Sequence, residues 1–235
     1  MRLLAIETST DACSVAVLAG DAVLERHALA PRRHAELVLP WAEALLAEAG
    51  LARSALDAVA VGRGPGAFTG VRLGISIAQG IALALDLPLL PVSTLAVLAR
   101  GGARDGGAAR VLAAIDARMG EVYAGAFIAD GAGLRALGPE TVSAPEAVVL
   151  PDRGPWRGVG TGFSAGEGVL ASRFADRLVS VDAGALPRAG DLARLAARDL
   201  AAGGGVAPER VEPAYLRDHV ALTLAEQAAA RDARG

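Results

Sequence analysis

Two carboxylates stand where chemistry could be done. Glu7 closes the apolar run Leu3-Leu4-Ala5-Ile6, and Asp116 closes Leu112-Ala113-Ala114-Ile115; a polar turn follows each. Strand ends that face a shared cleft would aim both acids into it, where such groups position a metal-bound phosphate or activate a hydroxyl. Thr8, Ser9, Arg118 and the turn Gly160-Thr161-Gly162 complete a cleft-facing or nucleotide-facing set. The competing role for a carboxylate at a strand end is plainer: it accepts the N–H groups of the turn that follows.

Several chemistries are excluded by residues the chain lacks. It contains no lysine and no asparagine, so all 23 basic side chains are arginine. A lysine-bearing phosphate loop, a Schiff base and the protein-kinase catalytic set each need a missing residue. The single cysteine, Cys13, rules out an intrachain disulfide and a multi-cysteine zinc site, and suits a reducing compartment. His27, His34 and His219 form no His-x-x-x-His pair, so no metal site is expected. Ser76 and Ser164 lack a nucleophile elbow, and no catalytic residue is assigned. Gly62-x-Gly64-x-x-Ala67 fits only the loosest dinucleotide fingerprint, because Pro65 and Gly66 reshape the turn and Asp86 falls at a helix-to-strand joint.

With a net charge of -3 and a pI near 5.7, the chain offers no general attraction to a polyanion. Arg32, Arg33, Arg63 and Arg72 could still add a basic patch within an assembly. Residues 1–6 lead straight into an apolar strand with no export signal, and Gln79, Asp86, Pro88 and Pro91 interrupt the most apolar stretch before it reaches membrane-spanning length. A cytoplasmic protein without a membrane partner is the expectation.

The elements that must position these residues follow from periodicity. Residues 3–6, 13–18 and 23–28 read as three strands in a tight meander. Val38, Trp41, Leu45 and Ala49 mark a helical face ended by Gly50. A strand at 56–61, a glycine-rich turn at 62–66, a helix from Phe68 or Thr69 to Leu85, a strand at 87–92 and a helix capped by Ser93 complete the first half. Residues 112–116 and 122–128 repeat the opening strand and its return, so the chain reads as two α/β domains of one topology. The expected division is 1–100, a flexible linker at 101–110, 111–217, and a terminal helix and tail at 218–235. A helix at 191–202, stopped by Gly203-Gly204-Gly205, belongs to the second domain on this reading.

The helix after the glycine turn carries a non-catalytic signal. Gly70, Gly74 and Ala78 recur every four residues, with Ile77 and Ile81 on a flank. Small residues admit a second backbone, and an apolar circumference implies that a sheet covers one side and another surface the other. Gly70, Gly74, Ile77, Ala78 and Ile81 are therefore an expected interface strip.

Five strings in order resemble the TsaB family, also called YeaZ, over essentially the whole chain. They are Leu4-Ala5-Ile6-Glu7-Thr8-Ser9-Thr10 followed by Ala12-Cys13-Ser14-Val15-Ala16-Val17; His34-Ala35-Glu36-Leu37-Val38-Leu39-Pro40; Gly64-Pro65-Gly66-Ala67-Phe68-Thr69-Gly70-Val71-Arg72-Leu73-Gly74; Ile115-Asp116-Ala117-Arg118-Met119-Gly120-Glu121-Val122-Tyr123; and Pro213-Ala214-Tyr215-Leu216-Arg217. Ala67 stands where the family pattern has serine, and Glu7 where it commonly has aspartate.

The resemblance implies an actin-like, sugar-kinase-like fold of two duplicated ribonuclease-H-like domains. It implies a non-catalytic partner of a TsaD-type subunit, which transfers a threonylcarbamoyl group to adenosine 37 of tRNAs reading codons that begin with adenine. A TsaE-type ATPase is the implied third protein, tRNA is met through the complex, and the chain alone is implied to form a homodimer. The resemblance also implies that Val38, Trp41 and Leu45 of the preceding helix join Gly70, Gly74, Ile77, Ala78 and Ile81 in the interface set. ATP and a divalent metal would serve the wider complex rather than this chain. The competing readings are a self-sufficient nucleotide-dependent phosphotransferase built on Glu7, Asp116 and the turn at 160–162, and a protease, for which no nucleophile–base pair or zinc set can be assembled.

Overall fold

A computed structural model describes residues 1–103, 110–130 and 133–217. Strict alternation along the first strand decides the architecture around it. In β1 (Arg2–Glu7), Leu4 and Ile6 point to one face, while Leu3 and Ala5 point to the other, and all four are buried. A strand buried on both faces needs a helical layer on each. On the Leu4 side lie α1 (His34–Glu48) and α2 (Phe68–Leu85), and on the Leu3 side lies α5 (Ala189–Ala201).

The first sheet has the order β3-β2-β1-β4-β5. β2 (Ala12–Ala19) and β3 (Ala22–Leu29) form an antiparallel meander with β1, while β4 (Ala58–Gly62) and β5 (Leu89–Val92) extend it in parallel. The second sheet repeats the pattern as β11-β10-β6-β7-β8. β6 (Arg110–Arg118) pairs antiparallel with β7 (Glu121–Asp130), β7 with β8 (Gly133–Ala136), and β6 pairs parallel with β10 (Trp156–Val159), which pairs parallel with β11 (Leu178–Asp182). A short β9 (Thr141–Ser143) adds to β7. Two sheets of one topology bear out the duplicated actin-like, sugar-kinase-like fold.

The helices do not respect the linear division expected from the sequence. α3 (Thr94–Ala103), capped by the Ser93 hydroxyl accepting the Ala96 N–H at 3.2 Å, packs its Leu95 and Leu98 on Val111, Ala113 and Ile115 of the second sheet. Conversely, α5 comes late in the chain but seals the first sheet with Leu192, Ala193 and Ala196 against Leu3, Ala5, Ala58 and Ala60. The cut at 100 and 111 thus separates each of these helices from the sheet it covers. α3 runs to Ala103 inside the expected linker, and the expected terminal helix lies outside the described residues. The far face of the second sheet is closed by Trp156, Phe163, Leu170 of α4 (Val169–Arg173) and Phe174.

α2 buries Val71, Gly74, Ile75, Ala78 and Ala82, a stripe at helical spacing, over β1 and β4. It ends where Asp86 takes a left-handed conformation and the Leu87 N–H closes on the Ala82 carbonyl at 2.9 Å. Its 18 residues are long and apolar enough to cross a membrane, yet this stripe lies on the sheet. Beyond α5 the chain returns to the first half. Val206 and Leu89 exchange backbone hydrogen bonds at 3.0 Å, the Gln79 amide donates to the Pro208 and Val211 carbonyls, and the Ala214 N–H donates to the Arg63 carbonyl at 2.8 Å.

Candidate functional site: a cleft and a groove

The turn between β1 and β2 is gripped from three directions. Glu7 is 1% exposed; its Oε1 accepts the Ser9 N–H at 2.8 Å, and its Oε2 accepts the Thr94 hydroxyl at 3.2 Å. Thr94 also lies 3.0 Å from the Ser9 hydroxyl, and Thr8 donates to the Gly70 carbonyl at 2.8 Å. Only glycine fits at two facing positions: a Cβ on Gly62 would stand 2.0 Å from Glu7 Oε2, and one on Gly70 would stand 2.2 Å from the Thr8 carbonyl. Burial pushes the Glu7 carboxyl above the usual carboxylate range, against the opposing pull of the Ser9 and Thr94 hydrogen bonds. Glu7 therefore points into a packed joint between β4 and α3 and does not line the cleft, contrary to the expectation from its strand end.

Between the two sheets lies a cleft of about 830 Å³. Ser9, Thr10 and Asp11 line it from the first turn, Phe68 and Arg72 from the start of α2, Asp116 and Arg118 from the second, and Tyr215 and Arg217 from the returning tail. Asp116 reaches it, but its Oδ1 accepts the Arg118 N–H at 2.8 Å, and its own N–H donates to the Thr161 hydroxyl at 3.1 Å. That is the turn-capping role. Of the turn 160–162 only Thr161 lines the cleft; Gly160 and Gly162 press on Ala114, where a Cβ would stand 2.2 Å from its carbonyl and 2.7 Å from its Cβ respectively. Among the described residues, no three of His, Cys, Asp and Glu converge as metal ligands.

The remaining reactive candidates are engaged in packing. Cys13 is buried under α1, and burial pushes its thiol up to about 11. His34 Nε2 lies 3.0 Å from the Thr10 carbonyl and 3.2 Å from the Ala12 carbonyl; both are acceptors, so this nitrogen carries the proton and pins the start of α1 to β2.

On the outer side, α1 and α2 enclose an apolar groove of about 450 Å³, lined by Leu39, Ala42 and Leu46 opposite Ile77, Gly80 and Ile81, with the Arg53–Glu43 ion pair at its edge. Here the expected interface set divides. Trp41, Ile77 and Ile81 are half-buried at the surface, whereas Val38, Leu45, Gly74 and Ala78 are buried beneath it. The strip Gly70-Gly74-Ala78 faces inward, and the backbone its small residues admit is the chain's own turn at Thr8. A second strip at the same spacing, Ser76-Gly80-Ala84, faces out into the groove, and a Cβ on Gly80 would meet nothing within 4 Å. Both strips are present in the sequence at the same spacing, and their period alone does not separate the inner from the outer.

Two clusters escaped sequence reasoning as clusters, although Arg72 stands among the arginines expected to add a basic patch. Arg72 lies 3.6 Å over the Phe68 ring and donates from Nε to the Tyr215 hydroxyl at 2.7 Å. Glu25 accepts two hydrogen bonds from Arg188 (2.9 and 2.7 Å), one from the Gly190 N–H (2.8 Å) and one from Ser14 (3.1 Å), bracing the start of α5 to the first sheet. Both pair residues far apart in the chain, which no local period records.

The fold defines a two-domain actin-like, sugar-kinase-like protein in which one strand-end acid, Glu7, is sealed away from the cleft and the other, Asp116, caps its own turn. A profile of the family described as TsaD, tRNA N6-adenosine threonylcarbamoyltransferase, matches residues 27–225. The tRNA threonylcarbamoyladenosine biosynthesis protein TsaB of Escherichia coli K12 is 43% identical, over 94% of this chain and 96% of that protein. Its Haemophilus influenzae counterpart of the same name is 37% identical, over 94% and 95%. The solved structure of YeaZ from Pseudomonas aeruginosa superposes with a TM-score of 0.83 at 47% identity, covering 92% of this chain and 99% of that one. This chain belongs to the TsaB family, and its place is in the biosynthesis of threonylcarbamoyladenosine in tRNA.

Proposed function

We propose that the chain is a non-catalytic subunit that holds a TsaD-type catalytic subunit through the groove between α1 and α2. The observation that carries this reading is the outward strip Ser76-Gly80-Ala84 beside the half-buried Ile77 and Ile81 and facing Leu39 of α1. Small residues spaced by four let a partner helix approach closely, and the flanking apolar side chains supply the area that association needs. The absence of chemistry of its own is supported by the two strand-end acids: Glu7 is sealed outside the cleft, and Asp116, which reaches it, caps its own turn. On this reading ATP and a divalent metal serve the catalytic subunit and a TsaE-type ATPase in the cytoplasm, tRNA is met through the complex, and the same groove pairs two copies when the chain is alone.

Gly80→Arg tests the surface. Replacing an exposed helical glycine removes a conformational cost of about 1 kcal/mol, and the new Cβ meets no neighbour, so the fold should be kept or slightly stabilised. A long cation would then stand in the apolar groove. The variant should keep its circular-dichroism spectrum and melting temperature yet fail to co-purify with a TsaD-type subunit. Undiminished co-purification at low protein concentration would reject the groove as the docking surface.

A further inference from the structure

Two aromatic side chains depart from the pattern of the others. Of four Phe, two Tyr and two Trp, only Phe68 and Tyr215 are exposed, at 59% and 52%. They come from opposite ends of the chain and stand side by side at the cleft mouth, ring centroids 6.3 Å apart and planes tilted by 32°. Arg72 is fixed against both, 3.6 Å over Phe68 and 5.5 Å from Tyr215, with its Nε held by the Tyr215 hydroxyl. Most exposed arginines of known pairing here meet a carboxylate, as Arg2 meets Asp57 and Arg33 meets Glu36. Among the described residues Arg72 meets none, and its two Nη groups make no hydrogen bond to any of them, a geometry suited to an incoming anion.

Exposed π faces beside a planar, pre-oriented cation are what a single-stranded nucleic acid recognises: a base stacks, and an adjacent phosphate accepts from the guanidinium. A protein partner would be better served by the apolar groove on the other side of α2, whereas the cleft mouth mixes aromatic rings with Arg72, with Arg118 beside Asp116 and with Arg217 paired to Glu121, so that Arg72 is the cation among these three without a carboxylate among the described residues. The family acts in tRNA modification, so an RNA strand is the polyanion available. We propose that Phe68, Arg72 and Tyr215 form a contact for a single-stranded segment of tRNA, one base stacking on Tyr215 and the neighbouring phosphate taken by Arg72. At a net charge of -3 the chain does not supply the bulk of the affinity. It orients RNA that the assembled complex holds. This rests on the proposed partnership with a TsaD-type subunit, and the experiment reads that partnership separately.

The wild-type chain and the variants Arg72→Gln, Tyr215→Leu and Tyr215→Phe are each assembled with a TsaD-type subunit. Co-elution and melting temperature are recorded, and a labelled, unmodified tRNA transcript is titrated by fluorescence anisotropy at several salt concentrations. Co-elution and melting should be unchanged. Arg72→Gln and Tyr215→Leu should each weaken tRNA binding about tenfold, Tyr215→Phe should stay within about twofold because it keeps the ring, and only Arg72→Gln should flatten the salt dependence, by a slope of about 0.7. Unchanged tRNA affinity in both weakening variants overturns the proposal. So does loss of co-elution, which would make the cluster a protein contact. Should the wild-type chain itself fail to assemble, the proposed function falls instead, and the same titration on the chain alone at low salt must still show both variants weaker for the RNA contact to stand.

Discussion

Removing the Glu25 carboxylate should detach the start of α5 from the first sheet. The side chain is 17% exposed and accepts four hydrogen bonds, from Arg188 Nε and Nη2, the Gly190 N–H and the Ser14 hydroxyl. A hydrogen bond to a charged group contributes about 1.5–3 kcal/mol, but these four share one carboxylate and do not add. Arg188 is 40% exposed and can turn to water, so its part is discounted to about 1 kcal/mol. Ser14 keeps its bond from the Ala189 N–H at 2.9 Å. What remains is chiefly the stranded Gly190 N–H, giving about 3 kcal/mol in all for Glu25→Ala. In a protein of this size that is a fall of about 6–12 °C in melting temperature. Glu25→Gln keeps an acceptor for Gly190 and should lose about 1 kcal/mol. Burial acts to raise the Glu25 pKa, but the hydrogen bonds from Gly190 and Arg188 outweigh it and hold the carboxyl below its usual value. The increment is therefore present above the unfolded-state pKa and lost as pH falls through the folded one. Thermal melts of both variants from about pH 7 down to about pH 3.5 should show a gap between wild type and Glu25→Ala that is constant at first and then closes on the acid side. A fall of less than about 2 °C for Glu25→Ala at neutral pH, or a gap indifferent to pH, would refute the brace.

Ala78 is fully buried in the core between α2 and the first sheet, so Ala78→Arg should overpack that core and bury a charge; a loss of more than about 4 kcal/mol, seen as insolubility or a collapsed urea midpoint, is expected, and a wild-type midpoint would show the residue faces outward after all. Glu7→Gln should behave in the opposite pH sense to Glu25: its carboxyl is raised by burial, so the wild type loses stability as pH rises through the folded pKa while the isosteric amide does not. Urea midpoints should agree near pH 4 and favour the variant near pH 8, and parallel pH profiles would show that the buried acid carries no ionisation cost.

Local period was enough to determine strands β1 to β7 and most helix limits, but not the short β8, β9 and β10, whose few residues carry no readable alternation. Alternation in β1 places two residues on each buried face, and Ser93 caps α3 as its type demands. The echo of Leu3-Leu4-Ala5-Ile6-Glu7 in Leu112-Ala113-Ala114-Ile115-Asp116 disclosed the duplicated topology, because equal strands with equal turns build equal sheets. Tertiary structure alone decided the rest. α2 is apolar around its circumference and carries two strips of small residues, so its period does not choose a face. The choice was made by the Thr8 carbonyl, which requires glycine at position 70 and leaves Ser76-Gly80-Ala84 to the outside. Glu7 and Asp116 end equivalent strands, yet one is sealed under Gly62 and Thr94 while the other reaches the cleft, a difference set by neighbours from elsewhere in the chain. α3 and α5 cross to the sheet of the other half, and Arg72 meets Tyr215, through contacts between residues distant in sequence, which only the closed fold brings within reach.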